Sequence, residues 1–299
     1  MRRDGGDRGD GQDATCGSNR VRYADLRRCD LWFEPGTVRR LNGWMVGWVR
    51  IALVAVLLGV VGCSHGAGGR VRVFAAASLT GAFEEMAAAF EVGKPGVAVE
   101  LHCAGTPRLV LQLREGAAAD VFASADEVQM QRVVDAGQTS SRPVMFASNE
   151  LMIVVGAGNP LAVGSLADLQ KPGVGVLMCA PDVPAGRYAR EVLGKAGVRV
   201  QSRSDEPSVR AVVSKVLLGV ADAGIVYATD VRATGSKGYV LDETKIHRVT
   251  IPAQHNIRTL YPIAALSTGN QGALGKAFVA FVVGPVGQAI LASHGFGKP

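Results

Sequence analysis

Residues 71–80 read Val-Arg-Val-Phe-Ala-Ala-Ala-Ser-Leu-Thr. Val71 to Phe74 is a short β-branched run of the kind that forms a buried strand. Three alanines and Ser78 follow, and then Leu79, Ala82, Phe83, Met86, Ala87 and Phe90 recur at helical spacing. The stretch predicts a strand, a tight turn of small residues, and a helix that begins at the turn. The unpaired N–H groups of a helix start favour an anion, and the Ser78 hydroxyl adds a donor beside them. The plainer role for Ser78 is an N-cap, the commoner use of serine at such a place.

The same construction recurs along the chain. From residue 71, strands alternate with helices: strand 71–76 and helix 79–92, strand 97–102 and helix 107–115, strand 120–123 and helix 127–136. Three such units predict a mostly parallel sheet covered on both faces. A second α/β set follows, with strands at 150–155, 174–178, 198–201 and 223–227 and helices at 186–196 and 208–219. Residues 239–250 and 260–266 read as further strands. Residues 272–283 and 285–293 read as two helices broken at Gly284-Pro285. The expected architecture is α/β with two lobes: 71–148 with 263–299, and 149–262. Ligands of open α/β sheets lie beyond the carboxyl ends of the strands, so the cleft between the lobes is the expected site.

The first 70 residues have a different character. Residues 51–61 form an apolar run too short for a comfortable membrane span, preceded by Arg50 and ending in Gly62-Cys63. A charged approach, an apolar core and a small-residue exit describe a secretory signal. Val60-Val61-Gly62-Cys63 resembles a bacterial lipobox, in which the cysteine is lipidated and becomes the first mature residue. Residues 1–62 are therefore read as an N-terminal extension plus signal peptide, and 63–70 as a glycine-rich tether. Residues 1–38 precede any plausible signal, and Met45 or Val38 is the expected true start.

Charge argues against several function classes. The chain has 32 Lys and Arg against 26 Asp and Glu, a formal net charge of +6, and half of that excess precedes residue 63. The remainder is scattered, with no basic stripe or aromatic platform, so no nucleic-acid partner is expected. The five histidines have no metal-ligand spacing, and His247 and His255 read as loop or surface residues. Glycine-rich turns lack the phosphate-loop pattern for nucleotides. Asp120 and Asp126 flank a strand end without a nucleophile beside them, which suits capping or loop support better than catalysis. Cys103 and Cys179 read as small buried side chains, and their spacing does not settle whether they pair.

Four loops have the form of an oxyanion site: Ala75 to Thr80, Ala104-Gly105-Thr106-Pro107, Pro181 to Tyr188, and Pro207-Ser208-Val209-Arg210. A fifth, Gly224 to Asp230, ends a strand on Tyr227. With Ala-Asp-Val-Phe-Ala-Ser-Ala-Asp (119–126), Tyr-Pro-Ile-Ala (261–264) and Gly-Phe-Gly (295–297), these segments resemble, in order, the periplasmic molybdate-binding proteins of ABC transporters over residues 70–297. The resemblance implies the two-lobe periplasmic binding protein fold of type II, with two crossings between lobes. It implies that molybdate or tungstate is held by Ser78, Thr106, Ala185, Val209 and Tyr227. Hydroxyls would come from Ser78, Thr106 and Tyr227, and backbone N–H groups from Ser78, Thr106, Ala185 and Val209. It further implies no enzymatic activity, no cofactor, no directly coordinated cation, a permease partner, a monomer, and an extracytoplasmic location with Cys63 as lipid anchor on the outer face of the cytoplasmic membrane. One departure stands out. The family has a serine pair in the second loop, where this chain has Thr106-Pro107-Arg108; Pro107 removes a backbone donor, and Arg108 reads as a solvated helix residue. Arg187 and Tyr188 are expected near the site but outside it.

The residue types agree with this resemblance. Molybdate and tungstate are doubly charged near neutral pH and only accept hydrogen bonds, so an all-donor site suits them. Phosphate is often protonated and gains from a carboxylate, and none of the five positions is acidic. Sulfate shares the charge and differs in size. A sulfate or other tetrahedral-oxyanion protein is therefore the alternative, ahead of a cleft enzyme on the same architecture.

Overall fold

The computed structural model describes residues 68–232 and 243–299. The expected signal, the lipobox at Cys63 and the strand expected to start at 239 fall partly or wholly outside these residues.

The described chain builds two five-stranded mixed sheets. The first has strands β1 (Arg70–Ala76), β2 (Ala98–Ala104), β3 (Val121–Ala123), β4 (Val144–Asn149) and β10 (Thr259–Ala265), in the order β2-β1-β3-β10-β4. The second has β5 (Leu151–Gly156), β6 (Val176–Cys179), β7 (Asp205–Glu206), β8 (Ala223–Tyr227) and β9 (Ile246–Thr250), in the order β7-β6-β8-β5-β9. The helices are α1 (Thr80–Val92), α2 (Thr106–Arg114), α3 (Glu127–Asp135), α4 (Pro184–Lys195), α5 (Val209–Leu217), α6 (Gly272–Val283) and α7 (Pro285–Ser293).

Among the described residues the chain passes between the sheets twice. The first passage is immediate, from Asn149 at the end of β4 to Leu151 at the start of β5. The second runs from Thr250 to Thr259. Because β10 pairs with β3 and β4 along its length, the expected division at 262/263 cuts through a strand. Two further expectations are corrected. Residues 198–201 form no strand; Val198 is buried against the core, and β6 is bordered instead by the two-residue β7. Strand β4 carried no separate sequence signal. The first sheet is parallel only across β2-β1-β3, since β10 runs antiparallel to both neighbours.

The β1 pattern follows from what covers the sheet. Val71 and Val73 are fully buried while Arg70 and Arg72 alternate outward. Helix α1 lays Phe83, Met86 and Phe90 on this sheet, where Phe83 meets Phe146 and Phe278 and Phe90 meets Phe278 and Phe281. Each fully buried Phe contributes about 1.5–3 kcal/mol by removing apolar surface from water. In β10 the register shifts between Tyr261 and Pro262, because proline has no N–H for the ladder and is accommodated by a bulge. The bulge follows directly on Tyr261, a residue that matters in the cleft.

Candidate anion-binding cleft

One small cavity collects all five residues singled out from the sequence. Ser78, Thr106, Ala185, Val209 and Tyr227 line it, together with Ala76, Ala77, Gly105, Ala125, Val183, Pro184 and Ser208. The centre of a water-sized sphere has about 10 Å³ of room, close to the minimum that admits one water. The space is compact, well below the hundreds of Å³ of a typical small-molecule pocket.

Helix starts form much of the wall. Thr106 opens α2, Ala185 follows Pro184 in the first turn of α4, and Val209 opens α5. Their N–H groups have no acceptor within their own helices. Three positive helix ends therefore converge on the cavity from both lobes. Pro184 fits the first turn, where its missing N–H costs nothing. Gly186 lets this turn sit on the end of β6, since a Cβ there would lie 2.1 Å from the Ala180 carbonyl oxygen. Ser208 caps α5 by accepting from the Ala211 N–H.

Ser78 lies in a 3₁₀ turn, Ala77–Leu79, before α1, and it makes no capping bond. The N-cap role is thus not what its hydroxyl does. Ser78 Oγ lies 3.2 Å from the Tyr261 hydroxyl. Asn149 Nδ2 donates to that hydroxyl at 3.3 Å and to Thr229 Oγ1 at 2.8 Å. The amide donation occupies one lone pair on Tyr261, and either hydroxyl can donate in the contact with Ser78. When Tyr261 donates, the Ser78 proton is left for a ligand. Burial pushes the Tyr261 pKa up, so it stays a neutral donor.

Tyr227 is the strongest single pointer to a ligand. Its side chain is buried, and its hydroxyl lies beside that of Tyr261 without a well-formed hydrogen bond to any described residue. Burial also raises its pKa well above the usual tyrosine value. A buried donor left unpaired costs about 1–3 kcal/mol, a cost that an acceptor in the cavity removes. Behind it, Asp230 Oδ2 accepts the Tyr227 N–H at 3.1 Å. Burial pushes the Asp230 pKa up to about 7, against the lowering effects of that N–H and of Arg210.

Among the described residues, none that lines the cavity carries a full charge. Arg108 lines a separate surface hollow with Asp182 and Asp205. Asp120 is structural: its carboxylate accepts the Arg72 N–H at 2.8 Å and the Gln271 N–H at 2.7 Å, tying β1 to the start of α6. Asp126 caps α3 through the Gln129 N–H at 2.8 Å and pairs with Arg187 of the other lobe at 2.8 Å. Cys103 and Cys179 are free thiols on different sheets. Tyr261 and Asn149 had no assigned role in the sequence. The contact from Ser78 to Tyr261 spans 183 positions, and no local pattern encodes it.

Residues 71–297 match the model of the bacterial extracellular solute-binding proteins. The molybdate-binding protein ModA of Mycobacterium tuberculosis is 42% identical over 227 residues, covering 76% of this chain and 84% of the relative. Among solved structures, the Azotobacter vinelandii periplasmic molybdate-binding protein superposes with a TM-score of 0.66 at 22% identity, covering 77% of this chain and 99% of its own. The M. tuberculosis sulfate-binding protein SubI does so with a TM-score of 0.67 at 20% identity, covering 77% of this chain and 87% of its own. This chain belongs to the bacterial extracellular solute-binding protein family.

Proposed function

We propose that this protein captures molybdate outside the cytoplasm and delivers it to the permease of an ABC importer. The observation that carries the reading is the chemistry of the cavity: among the described residues, hydroxyls and helix starts line it, and no carboxylate does. An anion that only accepts hydrogen bonds is matched there, and one that brings a proton finds no carboxylate to receive it, only hydroxyls. The 42% identity to a ModA over most of both chains supports molybdate in particular.

In this reading Ser78, Thr106 and Tyr227 donate hydroxyl hydrogen bonds, and the N–H groups of Ser78, Thr106, Ala185 and Val209 complete the shell. Pro107, in the first turn of α2, withholds one further donor that the second loop of the family offers. Tungstate, with the same charge and shape, is bound as well. Cys63 is lipidated, which places a monomeric protein at the outer face of the cytoplasmic membrane, tethered by the residues that precede β1; the expected tether bound at 70 is shortened, since Arg70 already pairs with Ala98.

A second reading, sulfate, is favoured by the equal fold similarity of the sulfate-binding SubI. Calorimetric titration with molybdate, tungstate, sulfate and phosphate in parallel separates them. Tight binding of the first two with weak or absent binding of the others supports molybdate capture. Sulfate binding as tight as molybdate makes the protein a sulfate carrier.

A further inference from the structure

Asp126 and Arg187 face each other across the cleft. Asp126 ends the loop after β3 in the first lobe, next to Ala125 of the cavity wall; Arg187 lies in the first turn of α4 in the second lobe, two residues after Ala185. The Asp126 side chain is fully buried. One of its oxygens accepts the Gln129 N–H at 2.8 Å, and the other meets Arg187 Nη2 at 2.8 Å. Arg187 keeps 34% of its side chain exposed and stacks over the Tyr188 ring at 4.7 Å. Beside the pair, Gln129 Nε2 donates across the cleft to the Asp182 carbonyl oxygen at 2.9 Å.

We propose that Arg187 is a positioning residue for ligand retention: it neutralises the carboxylate that lobe closure buries, and so sets how long a captured oxyanion is held. The inference rests on the reading of the cleft as an oxyanion site. The partners belong to different lobes, so separating the lobes breaks the contact and hydrates both groups. Closure takes Asp126 out of water entirely. A buried carboxylate with its guanidinium partner is tolerable; the same carboxylate alone is strongly unfavourable. The pair therefore acts less by its own attraction than by preventing a penalty on closure. Arg187 leaves the cavity wall to neutral donors and still holds the start of α4 against it.

The two partners should respond asymmetrically to substitution, as residues with a general structural role would not. Arg187→Met keeps the length of the side chain and leaves Asp126 unpaired on closure. Asp126→Asn keeps an oxygen for the Gln129 N–H and removes the charge. Arg187→Met alone should weaken binding by about 10- to 100-fold, mainly through faster release. Adding Asp126→Asn to Arg187→Met should restore most of the loss, which additive structural damage cannot do.

The test uses full-length protein and radiolabelled molybdate, with affinity from equilibrium dialysis and release measured into an unlabelled chase. Melting temperatures of the ligand-free variants check that each is folded. Rescue of slow release in the double variant supports the latch. Unchanged release in Arg187→Met, or a double variant worse than either single one, overturns it while leaving molybdate capture standing. If the wild type binds labelled sulfate and not molybdate, the choice of anion falls and the same release series with sulfate decides the latch. Binding of neither overturns the cleft reading and the latch with it.

Discussion

Gly105 of the first lobe lies so close to Pro207 of the second that a Cβ on Gly105 would sit 2.0 Å from the Pro207 carbonyl oxygen. Gly105 has φ −57 and ψ 133, a backbone conformation open to any residue. Its requirement for glycine is therefore the approach of the opposite lobe. Gly105→Ala should leave the ligand-free melting temperature nearly unchanged and oppose closure. Overpacking of this kind costs about 1–3 kcal/mol, so calorimetry should show affinity reduced by roughly 5- to 150-fold. Full affinity in this variant would mean that the lobes need not meet here when ligand is held.

Tyr227→Phe removes a buried hydroxyl that has no partner of good geometry among the described residues. Loss of an unsatisfied donor does not destabilise the fold and can favour it. The expected pattern is an unchanged or raised melting temperature without ligand, and a molybdate affinity weakened by about one to two orders of magnitude. Thermal denaturation with and without molybdate reads both. A clear loss of ligand-free stability would show that the hydroxyl serves the core.

Ser78→Ala should behave differently. Its hydroxyl is tied to Tyr261 at 3.2 Å, so the substitution strips a partner from a buried phenol as well as a donor from the ligand. A charge-assisted bond is worth about 1.5–3 kcal/mol, which predicts an affinity loss of roughly one to two orders of magnitude with a small loss of ligand-free stability. Titration of the folded variant checks it, and wild-type affinity would place the anion elsewhere.

The fold was legible wherever the periodicity was strong. Ala82, Phe83, Met86 and Phe90 fell in α1 because those side chains face the sheet, with Leu79 in the 3₁₀ turn just before it, and Pro184 and Gly284-Pro285 marked helix starts by the geometry of proline. The strand expected at 198–201 failed because alternation alone does not supply a sheet edge to pair with. The loops of the site were legible as strand-turn-helix units with donors at the helix starts, which is a local property. Tyr261, Asn149 and the Asp126–Arg187 contact were not, since each depends on which elements the topology brings together. Thr106 was expected just before a helix at 107–115, and it is instead the first residue of α2.

Asp230 gives a pH dependence with a definite sign. Its pKa is about 7 in the folded protein against an ordinary value of 3.8. Between these values the folded state holds a proton that the unfolded state has released, so stability falls as pH rises through this window and levels off above it. Solvent reaches part of Asp230, which makes the slope shallower than complete burial would. Asp230→Asn should flatten the profile of melting temperature between pH 5 and 7 relative to wild type. Parallel profiles for the two proteins would remove Asp230 as the cause.

Export offers a separate check. With Cys63 as the acylated residue, Cys63→Ala should leave an unprocessed precursor or a soluble product in place of a membrane-bound one. Fractionation and intact mass of the mature protein report it. Normal processing and membrane attachment in this variant would rule out Cys63 as the anchor.

The most direct measurement is anomalous diffraction at the molybdenum absorption edge from crystals grown with equimolar molybdate and sulfate. The account predicts a single strong molybdenum peak in the cavity lined by Ser78, Thr106, Ala185, Val209 and Tyr227, with the Tyr227 hydroxyl within hydrogen-bond distance of one oxygen. A molybdenum peak elsewhere, or a cavity filled by sulfate with no molybdenum signal, would contradict it.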